Sequence, residues 1–301
     1  MMVERLVTKP LRGVLREREP MARHTTWRVG GPAERFYEPA DCDDLAAMLR
    51  LLPVDEPIFW LGMGSNLLVR DGGIRGTVIH TTNRLAGIQR LDENRVRVEA
   101  GVPCAKVARF CAREGLCGAE FLAGIPGTFG GALRMNAGAF GGETWTLVNE
   151  VETVDRAGMP RRRLPGDYEV SYRQVKGPEG EWFTAAVLRL QPGDTQQGQQ
   201  RMRELLERRN VSQPVGQANA GSVFRNPPGG FAARLIEAAG LKGSRVGGAV
   251  VSEKHANFIV NTGDATAADI ETLIERVAAT VNERFGVRLQ REVHIVGERL
   301  P

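Results

Sequence analysis

The chain has 301 residues, of which 42% are hydrophobic, 25% charged and 6% aromatic. At roughly 100 to 200 residues per domain this gives two or three domains with cores of their own, which excludes a small stapled scaffold and a disordered chain. The formal net charge is +4, and of the 40 basic residues five are lysines (Lys9, Lys106, Lys176, Lys242 and Lys254), leaving 35 arginines, a bias toward bidentate anion binding.

Basic and acidic residues are interleaved along the chain. The tightest basic cluster, Arg161 to Arg163, reads as a solvated loop beside Gly158 and Pro160, so no nucleic-acid partner is expected. The stretch from Met1 to Pro20 mixes charges of both signs with isolated apolar residues, which is not a signal-peptide pattern. Nowhere do 18 apolar residues run together, so no membrane insertion and a cytoplasmic location are expected. Cys42, Cys104, Cys111 and Cys117 form no CxxC pair and read as reduced, mostly buried thiols. His24, His80, His255 and His294 are widely separated, and no metal site is expected.

Taken in chain order, the first unit, residues 1–81, carries a helix-like stretch over Asp44 to Leu52. Short apolar runs follow at Ile58 to Leu61 and Thr77 to Ile79. The second, residues 82–192, opens on the alternating Val96, Val98 and Ala100 of a strand. Val107, Phe110 and Cys111 then recur at helical spacing until Gly115. Val148 to Val154 and Ala185 to Leu190 read as strands, and polar Gln191 to Gln200 as a linker at a domain boundary. The third unit, residues 193–301, holds the clearest helix. Thr266 is its N-cap, Asp269 lies in its first turn, an apolar stripe runs from Ile270 to Phe285, and Gly286 stops it. That stripe needs a sheet to cover it, and Asn257 to Asn261 and Val293 to Val296 are the candidate strands.

Two glycine-rich segments carry chemistry. Gly62-Met63-Gly64-Ser65-Asn66-Leu67 follows an apolar run and reads as a strand entering a tight turn with unshielded backbone amides, to which Ser65 and Asn66 add side-chain donors. It is not a GxGxxG and no amphipathic helix follows it; nor does the chain contain a GxxxxGK[ST], so dinucleotide-fold and P-loop readings fail. The second segment runs from Gly124-Ile125-Pro126-Gly127-Thr128-Phe129-Gly130-Gly131-Ala132 through Met135-Asn136-Ala137-Gly138-Ala139 to Gly141-Gly142. So many glycines carry a folding-entropy cost and bury no side chain, which a merely structural loop rarely tolerates. Two amide-rich, cation-poor loops on adjacent regions suggest one elongated dinucleotide held across both.

These residues resemble the UDP-N-acetylenolpyruvoylglucosamine reductase (MurB) family over nearly the whole chain. The resemblance rests on His24-Thr25-Thr26-Trp27 with Gly30-Gly31, the GxGSN turn at 62–66 and the GIPGTFGGA…MNAGA block at 124–139. It rests also on Tyr172-Arg173, Ala220-Gly221-Ser222-Val223-Phe224, Ser252-Glu253-Lys254-His255-Ala256-Asn257-Phe258 and Glu292-Val293. The chain is short after Tyr172 and lacks the tyrosine-bearing loop insertion of the longer subclass, so it is similar to the shorter type.

The resemblance implies an α+β fold. A two-part FAD-binding unit similar to that of the vanillyl-alcohol-oxidase (PCMH-like) flavoproteins is followed by a C-terminal α+β substrate-binding domain. It also implies non-covalent FAD, NADPH as co-substrate, and reduction of UDP-N-acetylglucosamine enolpyruvate to UDP-N-acetylmuramate in peptidoglycan precursor synthesis. By the same resemblance Arg173 pairs with the substrate carboxylate, Ser222 protonates the carbanion, and Glu292 orients the proton donor or water. Gly62, Gly64, Ser65, Asn66, Leu67, Gly124, Ile125, Pro126, Gly127, Thr128, Gly130, Gly131, Asn136, Ala137 and Gly138 bind the cofactor. Tyr172, Arg225, Asn226, Lys254, His255 and Asn257 contact the substrate, Arg225 at a phosphate and Asn226 at the sugar or carboxylate. On sequence alone Lys254 reads equally as a surface charge and His255 as a core imidazole. One departure from the family pattern is Val175, where many members carry serine.

Two rival readings are a flavin oxidase of the same broad fold and a non-catalytic nucleotide-binding regulator. Oxidases of that fold often tether flavin through histidine, and neither glycine-rich segment contains one. A regulator is expected to have lost one of Arg173, Ser222 and Glu292, and all three are present. A structural scaffold leaves the glycine block unexplained.

Overall fold

A computed structural model describes residues 10–300. Lys9 and the first half of the Met1 to Pro20 stretch lie outside the described residues. The first sheet has the order β1-β2-β5-β3, built from β1 (Val14–Pro20), β2 (Pro32–Glu38), β3 (Ile58–Leu61) and β5 (Ile74–His80). β2 and β3 flank β5 in parallel, and β1 is an antiparallel edge. Helix α1 (Cys42–Leu51) crosses from β2 to β3, and the Asp41 carboxylate caps it by accepting from the Asp44 N–H. β4 (Leu67–Val69) leaves this sheet and finds its partner elsewhere.

The second sheet, β12-β11-β15-β7-β6, is antiparallel throughout. It comprises β6 (Ile88–Arg90), β7 (Arg95–Glu99), β11 (Val148–Asp155), β12 (Pro160–Arg163) and β15 (Glu181–Arg189). Helix α2 (Cys104–Arg113) packs its buried Val107, Ala108 and Cys111 into the core beneath this sheet. Three two-residue strands, β8 (Leu116–Cys117), β9 (Gly138–Ala139) and β10 (Gly142–Glu143), bracket a short helix, α3 (Phe129–Arg134). The hairpin β13 (Glu169–Ser171) and β14 (Gln174–Lys176) stands off the sheet before β15. Trp60 of β3 and Trp182 of β15 stack in parallel, 5.3 Å between centroids, and join the first two sheets.

β16 (Gln191–Pro192) pairs with β8, and α4 (Thr195–Ser212) follows at once. The last unit contains α5 (Ala232–Ala238), a sheet of β17 (Arg245–Val246), β18 (Ala249–Val251) and β19 (Ile259–Asn261), helix α6 (Ala267–Phe285) and β20 (His294–Val296). Thr266 and Asp269 close a capping box at the start of α6, and Gly286 ends it at φ +68°. The core under α6 also takes in Trp27, Val29 and Leu68 from the first region. Trp27 donates from Nε1 to the Ile259 carbonyl at 2.8 Å, and Asn261 returns a bond to the Trp27 carbonyl at 2.9 Å. The His24 to Trp27 motif is thus a peg into the C-terminal core.

Four expectations need correction. Gln191 to Gln200 is not a linker: it forms β16 and the first turns of α4, which Asp194 caps by accepting from the Gln197 N–H at 2.8 Å. Only Gly198, Met202 and Leu205 of that helix are buried, so its sequence carries little periodic signal. Arg161 to Arg163 form the edge strand β12 rather than a loop, with Arg161 on Asp155 at 2.9 Å and Arg163 on Glu181. The strands at 259–261 and 294–296 do not share a sheet, because β20 pairs in parallel with β4. Finally, the glycine block is partly helical, since α3 lies within it.

All four cysteines are free thiols, and burial pushes those of Cys42, Cys104 and Cys111 up to about 12. Among the described residues no helix is long and apolar enough to cross a membrane, and no group of three His, Cys, Asp or Glu side chains is placed to hold a metal ion.

Candidate active site

β3 delivers the chain into the Gly62 to Asn66 turn, which must pass hard against the His24 to Trp27 segment. Gly64 adopts φ +63°, and a Cβ there would meet the His24 carbonyl oxygen at 2.1 Å, so only glycine fits. The Asn66 amide donates to the Glu292 carbonyl at 3.1 Å, and the His294 N–H donates to the Asn66 carbonyl at 3.1 Å. With Leu67 registered on His294, the parallel β4 and β20 pair brings the turn beside Glu292.

The second glycine segment is pinned from behind. Backbone bonds run from Cys104 N–H to Gly127, from Phe129 N–H to Val102 and from Gly130 N–H to Ala100, at 2.8 to 2.9 Å. A Cβ on Gly130 would lie 2.8 Å from the Ala100 Cβ, which makes that glycine a packing requirement. Others face the first loop: a Cβ on Gly62 would meet Thr128 Oγ1 at 2.3 Å, and one on Gly127 would meet Ser65 Oγ at 3.0 Å. Gly131 is open, with Thr128 Oγ1 at 3.7 Å as its nearest neighbour.

Between the loops runs a cavity of about 1130 Å³. Sites for one small ligand are roughly 300 to 1,000 Å³, so this volume is large enough for an elongated dinucleotide. Every residue expected to hold the cofactor lines it except Asn136. Asn136 is buried instead: its amide donates to Glu143 at 2.9 Å and its oxygen accepts from the Trp145 N–H at 3.1 Å. Opposed glycine loops with backbone where side chains would collide fit the diphosphate and ribityl parts of FAD.

Arg173, Ser222 and Glu292 all line this cavity. Arg173 sits in the two-residue turn of the β13 and β14 hairpin at φ +55°, a conformation that costs a non-glycine residue on the order of 1 kcal/mol. Its guanidinium is fixed by donation to the Gly138 carbonyl at 2.7 Å and the Asn136 carbonyl at 3.3 Å. Arg173 Nε lies 3.2 Å from Glu292 Oε1. Burial raises the Glu292 pKa despite the opposing charges of Arg173 and Arg225. Ser222 comes alongside because the Glu292 N–H donates to the Val223 carbonyl at 2.8 Å and Phe224 bridges to Arg291.

The six residues expected to contact substrate lie behind this wall. Tyr172 is half exposed under the Arg173 guanidinium, 4.9 Å from ring centroid to Cζ. Arg225 donates to the Arg173 carbonyl at 3.1 Å, its Nε buried without a partner among the described residues. Asn226 accepts from the Ala232 N–H at 3.1 Å at the start of α5. Asn257 brackets Phe224, accepting from its N–H at 3.0 Å and donating to its carbonyl at 2.8 Å. Lys254 donates to the Asn210 carbonyl at 2.5 Å, and His255 stands edge-on to Phe258 at 4.8 Å. None of the six is a cavity-lining residue. Val175, the departure from the family pattern, is buried and lines the cavity.

Several lining residues were not anticipated. His294 opens β20 two residues after Glu292, and both side chains line the cavity. Burial and the neighbouring Arg134 and Arg225 lower the pKa of His294. Phe140, at φ +53°, lays its ring against Gly124. Arg209 and Gln213 come from α4 and the residue that follows it, and no motif marks them.

A flavin-sized slot between two glycine loops, closed by a partly buried arginine and carboxylate pair, defines an FAD-dependent oxidoreductase of α+β class. Residues 33–162 match the FAD binding domain family, and residues 213–296 match the C-terminal domain of UDP-N-acetylenolpyruvoylglucosamine reductase. The UDP-N-acetylenolpyruvoylglucosamine reductase of Alkalilimnicola ehrlichii is 64% identical over 286 residues, 95% of this chain and 96% of that one. That of Methylococcus capsulatus is 64% identical over 289 residues, covering 96% and 95%. The crystal structure of MurB from Thermus caldophilus matches with a TM-score of 0.82 at 35% identity, over 94% of this chain and 99% of that one. The chain belongs to the UDP-N-acetylenolpyruvoylglucosamine reductase family. Between β14 and β15 it has only Gly177-Pro178-Glu179-Gly180, with no inserted loop.

Proposed function

We propose that the chain reduces UDP-N-acetylglucosamine enolpyruvate to UDP-N-acetylmuramate with NADPH, in the cytoplasm, as a step of peptidoglycan precursor synthesis. The observation that carries this reading is that Arg173, Glu292 and Ser222 share one cavity with both glycine loops. In this reading residues 1–81 and 82–192 hold FAD across the two loops, and residues 193–301 hold the nucleotide sugar. FAD held by those loops would supply the hydride-transfer chemistry between NADPH and the methylene carbon of the enolpyruvyl group.

Negative charge then builds on the carbon next to the substrate carboxylate. Arg173 pairs with that carboxylate and stabilises the developing charge, its guanidinium oriented by the Asn136 and Gly138 carbonyls. Ser222 donates the proton to the carbon. An alcohol is a weak acid, and it serves here because the recipient is strongly basic. Glu292, its proton affinity raised by burial, orients the donor or a water beside it. Arg225, Asn226 and Asn257 position the Ser222 to Phe224 segment and the hairpin, and Tyr172 supports the guanidinium of Arg173. Lys254 and His255 hold the wall behind Phe258.

The test is the visible spectrum of purified protein under anaerobic conditions, before and after NADPH and then the enolpyruvyl nucleotide. A flavin band that bleaches with NADPH and returns with the nucleotide is the expected result. Return with oxygen alone would replace this reading with an oxidase.

A further inference from the structure

Among the described residues β13 and β14, which carry Arg173 in their turn, pair only with each other. A lone two-stranded hairpin is marginally stable in water, so ties to the rest of the fold must place the arginine. Two side chains at the end of α3 supply them. Arg134 donates to the Val175 carbonyl at 2.9 Å, and the Asn136 amide donates to the Ser171 carbonyl at 3.3 Å. Ser171 is registered on Gln174, so the Asn136 bond lands on the residue that opens the Tyr172-Arg173 turn.

Asn136 also meets the far end of Arg173. Its backbone carbonyl accepts from Arg173 Nη1 at 3.3 Å, beside the Gly138 carbonyl that takes Nη2 at 2.7 Å. The residue holds φ +46°, a left-handed conformation that asparagine adopts more readily than most side chains. Its remaining polar positions are filled as well: the amide donates to Glu143 at 2.9 Å and the oxygen accepts from the Trp145 N–H at 3.1 Å, with the residue 1% exposed. The Trp145 N–H can only donate and the Ser171 carbonyl can only accept, so the two ends of the carboxamide cannot be exchanged. One buried residue thus holds both the backbone turn and the guanidinium of Arg173, and it does so from outside the cavity lining.

We propose that Asn136 is the positioning residue for Arg173, acting on the arginine rather than on the cofactor. This rests on the function proposed above, because the pairing of Arg173 with the substrate carboxylate is what Asn136 makes accurate. Two variants test it. Asn136→Gly keeps the left-handed backbone and its carbonyl but removes the carboxamide. Asn136→Asp keeps the shape and the oxygen facing Trp145, and replaces the donor to Ser171 with a carboxylate oxygen beside Glu143. Stopped-flow absorbance of flavin-loaded protein at pH 8 should show reoxidation by saturating enolpyruvyl nucleotide slowed at least tenfold in both. Flavin content should be retained, and reduction by NADPH should slow less than threefold. At pH 6 the deficit of Asn136→Asp relative to wild type should shrink, since one proton shared between adjacent carboxyl groups removes their repulsion and returns a donor to the site. The deficit of Asn136→Gly should not shrink. Reoxidation at the wild-type rate in either variant overturns the proposal, as do loss of flavin from folded protein and equal slowing of both half-reactions. A deficit in Asn136→Asp that ignores pH also overturns it, because shape and not the donated hydrogen bond would then set the arginine. If Asn136→Gly does not fold, the isosteric Asn136→Asp and its pH profile decide alone. Wild-type protein that the enolpyruvyl nucleotide does not reoxidise would sink the functional reading itself. Wild-type protein that is reoxidised alongside equally fast variants would sink this inference alone.

Discussion

Glu292 Oε1 lies 3.2 Å from Arg173 Nε, yet burial lifts the carboxyl above the ordinary glutamate range rather than leaving it depressed by its partner. Both side chains are about 15% exposed, at 16% for Arg173 and 14% for Glu292, and the arginine divides its charge between the carboxylate and two carbonyls. Desolvation therefore outweighs attraction.

That balance sets a pH dependence. An acid whose pKa is raised by folding contributes stability that is fully present below the unfolded value near 4.5 and is lost as pH rises through the higher folded value. Glu292→Gln fixes the side chain in a neutral form. Denaturation at pH 5 and pH 8 should show wild type losing stability relative to the variant as pH rises. Reoxidation by the enolpyruvyl nucleotide should meanwhile fall by about a hundredfold or more in the variant. Parallel stability profiles for the two proteins would contradict the burial argument.

Ser222→Ala separates the half-reactions. Flavin reduction by NADPH requires no proton from Ser222 and should stay within about twofold of wild type. Reoxidation by substrate should slow by roughly 10² to 10⁴, the usual worth of a positioned proton donor. Stopped-flow absorbance reads both. Equal loss in the two half-reactions would remove Ser222 from the donor role.

Neighbouring glycines in the second loop should behave differently. Gly131→Ala adds a methyl group with nothing closer than 3.7 Å, into the space assigned to flavin, so it should leave the fold intact and weaken FAD binding. Gly130→Ala drives a methyl group to 2.8 Å from Ala100 and should instead lower the melting temperature. Thermal melts with and without added FAD distinguish them. A Gly131→Ala protein with native FAD affinity would place the flavin away from α3.

The sequence was legible where one local rule decided the outcome. Thr266, Asp269 and Gly286 bound α6 as cap chemistry requires, and Ile58 to Leu61 formed the strand its apolar run implied. The glycine segments were readable because many glycines in few residues have few uses, and the Arg173, Ser222 and Glu292 set emerged through resemblance rather than spacing. What stayed hidden depends on distant partners. Strand β20 looked like a neighbour of β19 but joins β4, more than two hundred residues earlier in the chain, a pairing set by the shared core of Trp27, Leu68 and α6. Helix α4 has few buried residues, so its sequence resembles a linker, and Arg209 went unnoticed with it. Asn257 looked like a ligand contact, yet its amide brackets the Phe224 backbone, a role that local sequence does not disclose.

The last prediction concerns the seam between α6 and the β4 and β20 pair. Glu271, 5% exposed, accepts from Arg70 Nε at 2.9 Å and Nη2 at 2.8 Å, and from Arg299 Nη2 at 2.9 Å. Arg70 also donates to the Gly297 carbonyl at 3.1 Å, so one carboxylate ties the helix to the end of each strand. The hydrogen bonds from Arg70, and then from Arg299, hold its pKa down at about 2 against the cost of burial. A depressed acid contributes stability that is present above the unfolded value of 4.5 and is lost as pH falls toward the folded one. Glu271→Gln should therefore cost about 3 kcal/mol at pH 7, and the deficit should shrink as pH falls from 4.5 toward 2. Urea denaturation at pH 7, 4 and 3 measures this. A deficit of the same size at all three values would mean that the shape of the side chain, and not its charge, holds the seam.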